Sequence, residues 1–184
     1  MNHLLTLPIS NSISFAQPTM QHSEQLFHLI DSDRKHLEEF LSFVKLTQTS
    51  TDTTNFLKSK ITGEANGTDR LFLIYFEGKL AGTIDIHFID EKNKLGEVGY
   101  WLHSDYINKG IISTAVNKIC DIAFDDLKLN KLSLLADTKN IASNKVAKKC
   151  GFSLVGTLKE EQFIDNTFQD MNLYYLLKSD YLTK

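Results

Sequence analysis

The chain has 184 residues, 42% hydrophobic and 23% charged, with a net charge of −3. This is globular composition at a length that suits one domain spanning 1–184, and it argues against a long disordered segment. The slightly acidic balance, with no basic stripe, excludes a nucleic-acid binder built on phosphate contacts.

In chain order, Met1–Pro8 has no basic region ahead of its apolar residues, so it does not read as a signal peptide. No apolar run approaches the roughly 18 residues of a membrane span. A soluble, cytoplasmic protein with no membrane partner is expected. Ile13–Phe15 reads as a short strand. Helical stripes follow at Leu26, Phe27, Leu29 and Ile30, then at Leu37, Phe40, Leu41 and Val44. Residues 47–54 are polar and read as a loop, with Asp52 as the cap of a helix carrying Phe56, Leu57 and Ile61. Leu71–Phe76 and Leu80–Ile89 read as a hairpin around Glu77-Gly78. Leu95–Leu102 is a further strand, and its Gly96 and Gly99 suggest a bulge or a close approach.

The rhythm then becomes strand-helix-strand. Ile111–Leu127 is expected as a helix, Leu132–Ala136 as a strand, and Ser143–Cys150 as a short helix stopped by Gly151. Phe152–Leu158 and Met171–Leu177 complete the pattern as strands. The order predicts an α/β (α+β) domain with one mixed sheet. Cys120 and Cys150 fall in apolar-periodic stretches and read as buried reduced thiols. No HExxH pair or Cys/His cluster is present among the six histidines, so no metal is expected. A GxSxG nucleophile elbow is absent as well.

Two stretches stand out. Gly99 to Ser113 runs from a strand through a turn into a helix, and a helix N-terminus presents unpaired N–H groups to an anion. Within the turn, Asn108 tolerates left-handed angles, Lys109 adds a positive charge and Gly110 permits close approach. Asp137 to Phe152 carries Asn140, Ser143 and Asn144, which by themselves read as helix caps.

Taken together, Glu97-Val-Gly-Tyr-Trp-Leu102, Gly110-Ile-Ile-Ser113, Asn140-x-x-Ser143-Asn144, Gly151-Phe152 and Asp170-Met-Asn-Leu-Tyr174 resemble the GNAT superfamily of N-acetyltransferases. The resemblance is closest to the RimL/RimJ group, which acetylates the amino termini of ribosomal proteins. It implies a mostly antiparallel sheet splayed at the acetyl-CoA site, with helices on both faces. It implies that the pantothenate arm pairs with backbone groups of Trp101 and Leu102. The pyrophosphate would sit on the turn Asn108, Lys109, Gly110, Ile111 and Ile112, and Asn140 would touch the cofactor near its thioester. Ser143 is similar to the residue that assists the departing thiolate. A homodimer is compatible with the group, and nothing in the sequence marks its interface.

The sequence departs from the family at two places. Ile107 replaces a polar residue at the start of the phosphate loop, and Ile112 stands where a small residue is usual. Gln162 occupies the position of a proposed general base, so it reads as substrate-binding. Glu160 is the substitute base, with Glu97, Asp85 and His87 as weaker candidates. The loss of a base matters least for an α-amine. About a sixth of an α-amino group of pKa near 7.7–8.0 is neutral at pH 7, against about one lysine in 2,500. An amine acceptor, foremost a ribosomal-protein amino terminus, is therefore expected. A small amine such as a polyamine, amino acid or aminoglycoside is the alternative, and a non-catalytic acyl-CoA-binding module the rival from another class. The N-terminal helices and the segment 159–170 are expected to wall the acceptor pocket.

Overall fold

A computed structural model of the protein describes residues 5–164 and 166–183. Met1–Leu4 of the N-terminal stretch lie outside the described residues. Strands β1 (Thr6–Pro8), β2 (Ile13–Ala16), β3 (Arg70–Phe76), β4 (Lys79–Asp90), β5 (Leu95–Leu102), β6 (Lys131–Asp137), β7 (Ser153–Ile164) and β8 (Thr167–Leu177) form one sheet in the order β1-β2-β3-β4-β5-β6-β8-β7. Every neighbouring pair is antiparallel except β5 and β6, which run parallel. That parallel step needs a crossover, and helix α5 supplies it.

The strands alternate, so each feeds two layers. On one face Leu71, Leu73 and Trp101 pack with Leu26 and Ile30 of α1 (Ser23–Asp31) and Leu57 of α4 (Ser50–Ala65). On the other, Ile74, Ile84, Ile86 and Val98 pack against Ile111, Ala115 and Ile119 of α5 (Ile111–Asp121), and Ala147 of α6 (Ile141–Lys149) joins them. Each such fully buried aliphatic side chain contributes roughly 1.5–3 kcal/mol relative to exposure. Cys120 and Cys150 are buried in this second layer.

Several elements differ from the sequence reading. The expected helix to Leu127 is regular only to Asp121, and Ile122–Asp126 continues as a π-helical turn. The stripe from Leu37 to Val44 is not one helix. It splits into single turns, α2 (Arg34–Leu37) and α3 (Phe43–Leu46), with Arg34 donating to the Val44 and Thr47 carbonyls. Thr49, not Asp52, is the N-cap of α4. Asp52 is its capping-box partner, accepting from the Thr49 N–H at 2.8 Å. The last two strands run longer than expected, so 159–164 and 167–170 form the outer part of the β7–β8 hairpin. A last short helix, α7 (Lys178–Leu182), follows β8. No helix among the described residues is long and apolar enough to cross a membrane.

Candidate active site

Strands β5 and β6 pair only over Leu95↔Lys131, Gly96↔Leu132 and Glu97↔Ser133. Beyond Glu97 they part, and the gap opens onto the start of α5. The His103 N–H donates to the Ala81 carbonyl at 2.9 Å, next to the pairs Gly82↔Leu102 and Thr83↔Trp101. Antiparallel pairs alternate in hydrogen bonding, so Trp101 turns its backbone groups to Thr83. The groups facing the gap belong to Tyr100 and Leu102. The expected backbone pairing at Leu102 therefore has the right facing, whereas that at Trp101 does not. Gly82 lacks a side chain because a Cβ there would lie 2.2 Å from the Trp101 carbonyl oxygen.

The turn after β5 carries two left-handed residues, Asn108 (φ 62°) and Gly110 (φ 74°). Gly110 is the N-cap of α5 and supplies no side-chain cap. The first N–H groups of α5 therefore point outward unshielded, as an anion site requires. A Cβ on Gly110 would meet nothing within 4 Å. The glycine thus serves its backbone angle and an open approach to the turn, and it relieves no crowding within the protein.

These elements enclose a cavity of about 460 Å³ lined by Tyr100, Trp101, Leu102, Asn108, Gly110, Ile111, Ile112, Asn140 and Ser143, closed by Leu37, Phe40 and Leu41. Of the cofactor-side residues expected from sequence, only Lys109 is absent from the lining. Its ammonium sits over the Phe76 and Tyr106 rings, 5.3 and 5.5 Å from their centroids. The side chains of Ile111 and Trp101 are buried in the two cores, so these residues border the cavity largely through backbone.

Ser143 is fixed from two sides. The Asn140 side chain caps its N–H at 3.0 Å, and the Tyr100 hydroxyl lies 2.9 Å from its Oγ. Burial pushes the Tyr100 phenol up, so it stays protonated. Asn144 anchors this helix start to the sheet. Its amide donates to the Asp137 and Asn140 carbonyls, and its Oδ1 accepts from Asn172 Nδ2 and Tyr174 Oη. Asn140 and Asn144 thus have capping and anchoring roles, while Ser143 keeps its hydroxyl at the cavity.

A second cavity, about 780 Å³, lies on the α1 and α4 side of the sheet and shares Leu41, Tyr100 and Trp101 with the first. Its upper walls are mostly apolar, formed by Leu26, Ile30, Phe43, Phe56 and Leu71, with Thr47, Asp52 and Thr53 near the start of α4. Its floor is charged. Lys60 Nζ lies 2.7 Å from Asp69 and 2.6 Å from Asp85, and His87 bridges Asp85 and Glu97 at 3.3 Å each. Burial opposes the His87 imidazolium, yet Asp85 and Glu97 raise its pKa to about 9. Burial would raise the Asp85 carboxyl, but His87 and Lys60 hold it below its ordinary value. Gly99 makes room here, since a Cβ would fall 2.7 Å from Asp85 Oδ1.

Glu160 and Gln162 are placed elsewhere. Register shifts between Leu158 and Gln162, and Glu160 sits in that bulge at φ 54°, exposed, its N–H on Asp170 Oδ1. The segment is therefore not uniformly extended there. Neither Glu160 nor Gln162 lines either cavity, nor does any described residue of 159–170; Asp165 of that segment lies outside the described residues. The polar groups that do enter the second cavity include Lys60, Asp69 and Thr83, which sequence reasoning missed. The one signal nearby was the charge of Asp85 and His87 at inward positions of an otherwise apolar β4, and it does not reach Lys60 or Asp69. His103 is a turn residue, accepting from the Asp105 N–H at 3.1 Å.

A family model described as "Acetyltransferase (GNAT) domain" matches residues 13–153. The chain is 29% identical over 169 residues to the "Ribosomal-protein-serine acetyltransferase" of Escherichia coli (strain K12), covering 92% of this chain and 94% of that protein. It is 27% identical over 184 residues to the "Putative ribosomal N-acetyltransferase YdaF" of Bacillus subtilis (strain 168), covering 97% and 98%. The fold superposes with a TM-score of 0.90 on a RimL ribosomal L7/L12 alpha-N-protein acetyltransferase solved with coenzyme A, at 22% identity over 94% of this chain and 97% of that one. The splayed strands, the left-handed turn opening α5 and the matched domain agree, and the chain belongs to the GNAT acetyltransferase family, an acyltransferase with the mixed α/β fold of that family.

Proposed function

We propose that the protein transfers the acetyl group of acetyl-CoA to the α-amine of a protein amino terminus, of the ribosomal-protein type. The observation that carries this reading is the meeting of two cavities of different chemistry at Tyr100 and Trp101, with the Ser143 hydroxyl beside the junction. The family and the likeness to ribosomal-protein acetyltransferases support the acceptor class.

The smaller cavity suits acetyl-CoA, which brings a thioester acyl donor. Outward N–H groups of α5 and the turn from Asn108 to Ile112 would hold the pyrophosphate, and Leu102 and Tyr100 would offer backbone partners to the arm. The amine enters through the larger cavity. Its lone pair forms the C–N bond at the thioester carbonyl carbon, the C–S bond breaks, and sulfur keeps that electron pair. Ser143 gives the thiolate its proton and takes one back from water, to which the amine nitrogen releases its own. Asp85 is ion-paired and His87 is protonated at neutral pH, so neither is a ready base. An acceptor that is already partly neutral, an α-amine, suits such a site.

The test is incubation of the enzyme and acetyl-CoA with a peptide carrying both a free α-amine and an internal lysine. Acetylation at the α-amine, located by fragment mass spectrometry, is expected. Modification confined to the lysine, or thiol release with no acetylated peptide, would overturn the reading.

A further inference from the structure

The floor of the larger cavity is arranged to recognise more than an amine. Thr83, Asp85 and His87 alternate along β4, so all three face the cavity, one rung apart at about 6.6 Å. Thr83 pairs in register with Trp101, at the junction with the cofactor-side cavity. It is only 4% exposed, and its hydroxyl has no hydrogen-bond partner among the described residues. Among the described residues the one side-chain polar atom that is both sealed and unpartnered is Arg70 Nε, which does not line this cavity. The Thr83 hydroxyl therefore keeps some exposed surface, and the cavity is where that surface lies.

One rung further, Asp85 is half used. Its Oδ2 takes both Lys60 and His87. Its Oδ1 has no such partner and lies beside the bare Cα of Gly99. Around it stand three carboxylates, Asp69, Asp85 and Glu97, against the Lys60 ammonium and the His87 imidazolium. The cluster holds one negative charge in excess, on side chains only 13–22% exposed. An uncompensated buried charge is costly, and a ligand cation removes that cost. Above the floor the walls are mostly aliphatic and aromatic, with Thr47, Asp52 and Thr53 near the start of α4, so an apolar spacer suits the stretch between the cation and the reacting amine.

We propose that Thr83 and Asp85 select an acceptor bearing a second cationic group, one β4 rung from the reacting amine and joined to it by an apolar spacer. This rests on the acetyltransferase reading of the same site. A spacer of four to five methylenes spans about the required 6–7 Å. Two sources share that chemistry: a small diamine, and an amino-terminal residue with a long basic side chain. The excess negative charge disfavours acceptors with a carboxylate at that distance, such as free acidic amino acids.

The experiment measures thiol release at saturating acetyl-CoA for two matched pairs. One pair is 1,5-diaminopentane and pentylamine. The other is a peptide beginning with lysine and the same peptide beginning with norleucine. The dicationic member of at least one pair should show a KM about tenfold or more lower, the size of a hydrogen bond to a charged group. The pair that shows it identifies the source. Asp85→Asn and Thr83→Val should each narrow that ratio. Thr83→Val is near-isosteric and leaves the ion pairs intact, so it covers the case in which Asp85→Asn does not fold. Thiol release with equal KM within both pairs overturns the proposal and leaves the acetyltransferase reading standing. No thiol release from any of the four acceptors overturns both.

Discussion

The Tyr100 hydroxyl lies 2.9 Å from Ser143 Oγ, joining the splayed strand β5 to the start of α6 at the point where both cavities meet. A protonated phenol in that position can orient the serine hydroxyl toward a departing thiolate. Ser143→Ala should lower kcat by about a hundredfold, the lower end of acid-base catalysis, with little change in the acetyl-CoA KM. Tyr100→Phe removes one neutral hydrogen bond and should lower kcat by roughly two- to tenfold. Steady-state kinetics decide the matter. A large rise in acetyl-CoA KM with kcat unchanged in both variants would show a binding role instead.

Gly110→Ala tests the turn. Its φ of 74° costs an L-residue on the order of 1–2 kcal/mol, although the added methyl meets no protein atom. The melting temperature should fall by a few degrees, at about 2–4 °C per kcal/mol for a chain of this size. Acetyl-CoA affinity should fall as well. Unchanged affinity would place the phosphates elsewhere.

His87 makes stability depend on pH. Its folded pKa of about 9 lies above the ordinary value of 6.5. A group raised in this way contributes its full stability below the unfolded pKa and loses it as pH rises through the folded one. The contribution, on the order of 3 kcal/mol, should be present near pH 6 and fade between pH 6.5 and 9. Chemical denaturation across that window should show the decline, and His87→Gln should flatten it. An equal slope in the variant would assign the pH dependence to other groups.

Asn144 holds α6 to β6 and β8 through three hydrogen bonds and to its own N-cap, Asn140, through a fourth, all at 2.7–2.8 Å. Asn144→Ala would leave the Tyr174 hydroxyl and the Asp137 carbonyl without that partner in a buried site. A loss of about 2–4 kcal/mol is expected in denaturant unfolding, because unmet buried polar groups carry their full desolvation cost. A loss under about 0.5 kcal/mol would show that the surroundings satisfy these groups in another way.

The core strands and the two site helices were legible because their patterns are regular. β3 to β6 alternate or run apolar, and Gly110 and Gly151 punctuate the helices at positive φ. Other parts carried no local signal. Residues 159–163 of β7 are exposed on both faces, so no alternation marks the long hairpin, and the extended facing that makes Glu160 a base candidate fails where the chain bulges outward. The stripe from Leu37 to Val44 has helical spacing, but Arg34 ties two carbonyls further along and the chain folds back as single turns. The charged floor joins Lys60 from α4, Asp69 from the turn before β3 and Asp85 from β4. Only folding brings them together, so no spacing rule could have found them. The cofactor-side residues, by contrast, cluster in two short segments and could be read in order.

The most direct test of the account is thermal unfolding with and without acetyl-CoA. At a hundred times its Kd, the ligand should add about 2.7 kcal/mol and raise the melting temperature by about 5–10 °C. Gly110→Ala should show a smaller shift at the same concentration. No shift at millimolar acetyl-CoA would contradict the assignment of the splayed strands and the α5 turn as the acetyl-CoA site.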